Sequence, residues 1–164
     1  MIVARQMLKA SIQHAAPERG RPRKAASRPA SGRPAPGSQQ QQRILIVEDE
    51  IFVAWHLESI LKDLEFAVSG IVPDGRTAMA RAQELGVNLI LMDINLKGDL
   101  DGIETARRIR ETSDTTIVFV TAYSDASTLA RIEAAVPGAP VLAKPVSSGR
   151  LRAALAKALE SRSD

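Results

Sequence analysis

Five short apolar runs, spaced through residues 44–143, constrain this chain more than any other feature. They are Ile44-Leu45-Ile46-Val47, the stretch from Ala67 to Val72, Asn88-Leu89-Ile90-Leu91-Met92-Asp93, Ile117-Val118-Phe119-Val120 and Val141-Leu142-Ala143. Runs of this length are too short for buried helices and read as strands covered on both faces. The segments between them repeat apolar residues at helical spacing. Helix one is expected over about Ile51 to Leu64, with Val53, Leu57, Ile60 and Leu64 on one face. Helix two covers about Arg76 to Leu85 after a Pro73-Asp74-Gly75 turn and stops at Gly86. Helix three, about Gly102 to Glu111, turns Ile103, Ala106 and Ile109 inward. Helix four, about Asp125 to Val136, is expected to turn Leu129, Ile132 and Val136 inward. Helix five is capped by Ser147 or Ser148 and buries Leu151, Leu155 and Leu159.

Strict alternation of strand and helix means an α/β fold, a doubly wound parallel sheet with helices on both faces. Spacing alone leaves two common strand orders open. In the order 2-1-3-4-5, the ends of strands one, three, four and five converge on one crevice at the carboxyl edge of the sheet. Four runs end there on polar side chains: Glu48 and Asp49, Asp93, Thr121, and Lys144.

Three carboxylates in one cleft repel one another, and a divalent cation relieves the repulsion. Oxygen ligands without His or Cys favour Mg²⁺. A carboxylate beside Mg²⁺ can act as nucleophile toward a phosphoryl group. The charge on that group spreads over three oxygens, for which the metal, the Lys144 ammonium and the Thr121 hydroxyl are three partners. Taken singly, the same residues have plainer readings. Asp93 can cap a loop, Glu48 or Asp49 can cap helix one, and Lys144 can be a surface lysine.

The set Ile44-Leu45-Ile46-Val47-Glu48-Asp49-Glu50, Leu91-Met92-Asp93, Val120-Thr121-Ala122 and Ala143-Lys144-Pro145 resembles the receiver domain of two-component response regulators over about residues 43–161. The resemblance implies a five-stranded flavodoxin-like (βα)5 fold with strand order 2-1-3-4-5. It makes Asp93 the phosphoacceptor, Asp49 a direct Mg²⁺ ligand, Glu48 a ligand through water and the Asn95 carbonyl a further ligand. Thr121 and Lys144 become the phosphate contacts, and the Lys144–Pro145 bond is expected to be cis. The partners it implies are a sensor histidine kinase or phosphotransfer protein and a downstream protein. The helix four to helix five face is a common dimer surface in that family. The expected chemistry is the chain's own phosphoryl transfer and autodephosphorylation, with no turnover of an outside substrate. A hydrolase of the haloacid-dehalogenase type needs a second acid two residues after its nucleophile, where this chain has Asn95.

Two departures from the family pattern stand out. Val141 occupies the place, three before the lysine, where many receivers carry an aromatic residue whose rotation reports phosphorylation. The loop Asn95 to Gly102 has no proline after the acceptor and is a residue longer, and Lys97-Gly98 is expected to make it mobile. Asn95 and Tyr123 occupy positions that tune dephosphorylation in the family. These departures keep a second reading in view, a phosphate-independent interaction module on the same fold.

Charge is unevenly spread along the 164 residues. Residues 1–42 carry eight Lys and Arg against Glu18 alone, while the rest carries 14 basic and 18 acidic side chains. The pI of about 9.6 therefore describes a Pro-, Gly-, Arg- and Gln-rich arm, expected to be disordered, ahead of a mildly acidic receiver domain over residues 43–164. The arm lacks aromatic residues that stack on bases, so nucleic acid is not the expected partner. Without cysteine, thiolate chemistry and disulfides are excluded. No apolar run spans a bilayer and the start lacks a secretory signal, so a cytoplasmic single-domain receiver is expected. His14 and His56 are not expected to carry phosphate. Phe52 and Trp55 fall off the inward stripe of helix one, as edge packing or as a docking surface near the acids.

Overall fold

The computed structural model describes residues 42–160; the arm expected over residues 1–42 falls outside them, Gln42 excepted. Strands and helices alternate as β1 (Arg43–Val47), α1 (Ile51–Asp63), β2 (Ala67–Val72), α2 (Gly75–Glu84), β3 (Leu89–Asp93), α3 (Gly102–Thr112), β4 (Thr116–Thr121), α4 (Ala126–Ala135), β5 (Val141–Ala143) and α5 (Ser148–Glu160). All pairings are parallel, in the order β2-β1-β3-β4-β5. The expected flavodoxin-like order is therefore the observed one.

The two-residue period of each strand builds two separate cores. Ile44, Ile46, Leu89, Leu91, Val118, Val120 and Leu142 point to one face and pack under α1 and α5. Leu45, Val47, Ile90, Met92, Ile117 and Phe119 point to the other and pack under α2, α3 and α4. Each fully buried side chain of this size contributes about 1.5–3 kcal/mol relative to exposure. Continuous apolar strands are thus needed because the sheet has no solvent face.

The expected inward stripe on α3 is buried, and Val53, Leu64 and Leu159 sit partly buried at the rim. Helix four differs from expectation. Ile132 is its single buried residue, Val136 is buried just past its end, and Leu129 is 41% exposed. The physical reason is that β5 is only three residues long and α4 packs along α3, so its first turn has little sheet beneath it.

Helix caps also sort by function. Asp74, Asp101 and Asp125 cap α2, α3 and α4 by accepting backbone N–H groups at 2.8–3.1 Å. Helix α1 has Glu50 at its N-cap with no side-chain bond. Neither Glu48 nor Asp49 is that cap: Glu48 Oε1 accepts from Glu50 N–H at 3.3 Å, ahead of the helix.

Gly102 fixes the turn from β3 into α3. Its N–H donates to Ile94 O at 2.8 Å, and a Cβ there would stand 1.8 Å from Asp93 O and 2.9 Å from Ile94 Cα. Backbone, not a flexible side chain, would have to yield. Gly102→Ala is expected to destabilise the domain by about 1–3 kcal/mol, read as a lowered urea midpoint; an unchanged midpoint would show that the turn relaxes freely.

Candidate functional site

The carboxyl edge of the sheet brings four of the expected side chains to one cleft. Glu48 and Asp49 follow β1, with Glu48 buried and its N–H donating to Val72 O at 3.0 Å. Asp93 ends β3 and is 4% exposed. Lys144 follows β5, held by its N–H donating to Thr121 O at 2.9 Å, and its bond to Pro145 is cis, as expected. Its Nζ lies 2.7 Å from Glu48 Oε2 and 3.3 Å from Asp93 Oδ1. One ammonium therefore links the ends of β1 and β3 from the edge strand β5.

Glu48, Asp49 and Asp93 each offer an oxygen within 4.8 Å of the others. Burial raises the Glu48 carboxyl above its usual range, with Lys144 opposing and the charge of Asp93 adding to the rise. Asp93 is raised likewise, by burial first, against the pull of Lys144 and with the charge of Asp49 adding. Burial works to lower Lys144, but its two carboxylate neighbours hold the ammonium above its ordinary value. Glu48 Oε2 takes the Lys144 ammonium at 2.7 Å, and Glu48 Oε1 accepts from Glu50 N–H at 3.3 Å. An all-oxygen set of three carboxylates this close together fits a hard divalent ion.

The other expected residues are placed less directly. Thr121, fully buried at the end of β4, accepts from Tyr123 N–H through its hydroxyl at 3.0 Å. Asn95 is exposed two residues past Asp93. Val141 is half-buried beside Phe119 in the core under α4. Phe52 and Trp55 are 79% and 54% exposed and make an edge-on ring contact at 5.8 Å. His56 Nε2 lies 3.1 Å from Val146 O, which ties α1 to the loop after Lys144 and fits a packing role.

Sequence reasoning passed over one contact. Lys97 Nζ lies 3.1 Å from Asp49 Oδ2. Its loop is anchored on both sides of Lys97-Gly98. Leu96 and Leu100 are buried on either side, and Asp99 and Asp101 pair with Arg76 and Arg131. The signal available was the leucine spacing, four residues apart around a polar tip.

A doubly wound sheet that gathers three carboxylates and an ammonium at its carboxyl edge is an α/β protein with its candidate site beside the β1–β3 switch point. The response regulator receiver domain family matches residues 44–156, and the chain belongs to that family, the receiver domains of two-component systems. A protein-glutamate methylesterase/protein-glutamine glutaminase from Trichodesmium erythraeum is 31% identical over 110 residues, 65% of this chain and 31% of that protein. The DNA-binding response regulator MtrA of Mycobacterium tuberculosis is 35% identical over 85 residues, 52% of this chain and 36% of that protein. The chain thus spans about a third of the length of these curated relatives. The signal receiver domain of a modulated diguanylate cyclase from Desulfovibrio desulfuricans is similar at TM-score 0.69 and 34% identity, over 74% of this chain and 95% of that one. The receiver domain of a sensor histidine kinase from Pseudomonas aeruginosa is similar at TM-score 0.65 and 30% identity, over 73% of this chain and 98% of that one. That structure has a magnesium ion coordinated in its active-site cleft. Among the described residues of this chain, no helix is long and apolar enough to cross a membrane.

The raised carboxyls give a signed pH dependence. A carboxyl whose folded pKa exceeds its unfolded one penalises the fold only when ionised. The penalty is absent below the unfolded value and complete once pH has risen through the folded value. In EDTA, the stability that Asp93→Asn gains over wild type is therefore expected to grow as pH rises from about 4 to about 7, read as the difference in urea midpoints. A constant or shrinking difference would contradict the burial argument.

Proposed function

We propose that the protein is a phosphorylation-dependent signalling switch that takes a phosphoryl group from phosphohistidine onto Asp93. The observation that carries this reading is the Lys144 ammonium lying against both Glu48 and Asp93 at the ends of two central strands. In this reading residues 43–164 are the receiver and residues 1–42 an appended basic arm.

Glu48, Asp49, Asp93 and the Asn95 backbone carbonyl would hold Mg²⁺, with Glu48 acting through water. Bound there, the ion lowers repulsion in the cleft and neutralises charge on the transferring group. Asp93 must be ionised to attack. Burial opposes ionisation, and the ammonium of Lys144 favours it. One Asp93 oxygen forms a bond to phosphorus as the bond from phosphorus to the donor imidazole nitrogen breaks. The bonding pair leaves with the imidazole. Lys144 then exchanges part of its contact with Asp93 for a phosphoryl oxygen, and the Thr121 hydroxyl donates to another. The donor is a histidine kinase or phosphotransfer protein, and output is through a protein partner that reads the loops after β4 and β5. The cytoplasm is the compartment that suits such a donor. No outside substrate is turned over.

Intact mass after incubation with Mg²⁺ and acetyl phosphate tests the assignment. Wild type is expected to gain one phosphoryl group and Asp93→Asn none; label retained by Asp93→Asn would refute Asp93 as acceptor. Lys144→Ala is expected to accept the group yet lose the phosphorylation-dependent change in amide exchange in the loops after β4 and β5. A full exchange response without Lys144 would place transmission elsewhere. A wild type that binds its partner equally with and without the group would favour the phosphate-independent module.

A further inference from the structure

We propose that Lys97 is a tethered competitor for the metal at Asp49: its ammonium pairs with the Asp49 carboxylate and must be displaced when a divalent ion binds there. This inference rests on reading Glu48, Asp49 and Asp93 as the cation site.

Asp49 is the least enclosed of the three acids, yet its side chain is still only 10% exposed. Lys144 lies against Glu48 and Asp93, and Lys97 supplies the counter-charge at Asp49, 3.1 Å from Oδ2. The two lysines thus divide the cleft's acids between them. Mg²⁺ requires oxygens at about 2.0–2.1 Å in near-octahedral array and keeps several waters. An ammonium already against Asp49 Oδ2 obstructs that shell and repels the ion.

The loop is built to deliver this charge. Leu96 and Leu100 are buried, and Asp99 and Asp101 are paired to Arg76 on α2 and Arg131 on α4. Only Lys97-Gly98 is left at the tip. Gly98 has φ +116, which favours glycine, and nothing lies within 4 Å of where its Cβ would stand. The Lys97 side chain is 84% exposed, so it leaves Asp49 into open water at small cost. A tether of this length keeps the ammonium at high local concentration however dilute the protein is. An ion pair with one partner so exposed has a modest effect, about two- to fivefold on the affinity of its competitor.

The test is the Mg²⁺ dissociation constant of the full chain by isothermal titration calorimetry at low salt. Lys97→Met is expected to bind about two- to fivefold more tightly than wild type. Lys97→Arg, which keeps the charge, is expected to stay near wild type. Raising KCl to about 0.5 M is expected to close the gap between wild type and Lys97→Met. Lys62→Met is the control for net charge. Lys62 pairs with Glu58 in the last turn of α1, about 16 Å along the helix axis from its first residue. Equal affinity in wild type and Lys97→Met, or equal tightening by Lys62→Met, would overturn the proposal while leaving the cation site standing. Absence of binding in both wild type and Lys97→Met would overturn the site reading and this proposal with it.

Discussion

A lysine ammonium placed against two buried carboxylates is the contact on which the cleft depends. Removing Glu48, Asp93 and Lys144 from water is costly for each charge singly, and only their mutual approach offsets it. The strand order makes that approach available. With β1 beside β3, and β5 at the edge one strand beyond, residues 48, 93 and 144 all fall at the carboxyl edge of the sheet although about 45–50 residues separate each from the next.

Charge balance then sets what the cleft accepts. Three carboxylates and the Lys144 ammonium leave a net charge of two minus. A divalent cation would cancel it, and in the proposed reaction the phosphoryl group would then arrive in a neutral rather than a repelling site. With Lys97 against Asp49 the metal-free cleft is already closer to neutrality. Metal affinity and the metal-free stability of the cleft are therefore opposed through one exposed side chain.

The fold was legible because both faces of the sheet are covered. Runs such as Leu89-Ile90-Leu91-Met92 have no polar alternation to obscure them, and the two-residue period divides them cleanly between two cores. The cleft was legible because its residues end those runs. Leu129 was misread because helical spacing records which face an element turns inward, not whether a sheet lies beneath that turn. The Lys97 contact was missed for a related reason. A Lys-Gly pair signals a loop tip, but the reach of the side chain depends on where Leu96 and Leu100 anchor the backbone. Long-range ion pairs such as Asp101 with Arg131 leave no local pattern at all.

The valine at position 141 changes how the proposed switch is read. A large ring at the start of β5 would have two discrete positions, whereas a half-buried valine packed beside Phe119 has no comparable swing. The Thr121 hydroxyl offers another route. It accepts from Tyr123 N–H at 3.0 Å, and a hydroxyl can donate while it accepts. Donation to a phosphoryl oxygen at Asp93 therefore need not break the bond to Tyr123. As the hydroxyl is drawn toward the group, the loop after β4 is drawn with it. Tyr123 is 63% exposed at that loop, next to the lightly seated first turn of α4. In this chain the loop and α4 are held by fewer buried contacts than the rest of the sheet's cover, so a small displacement at Thr121 is transmitted there at the least cost.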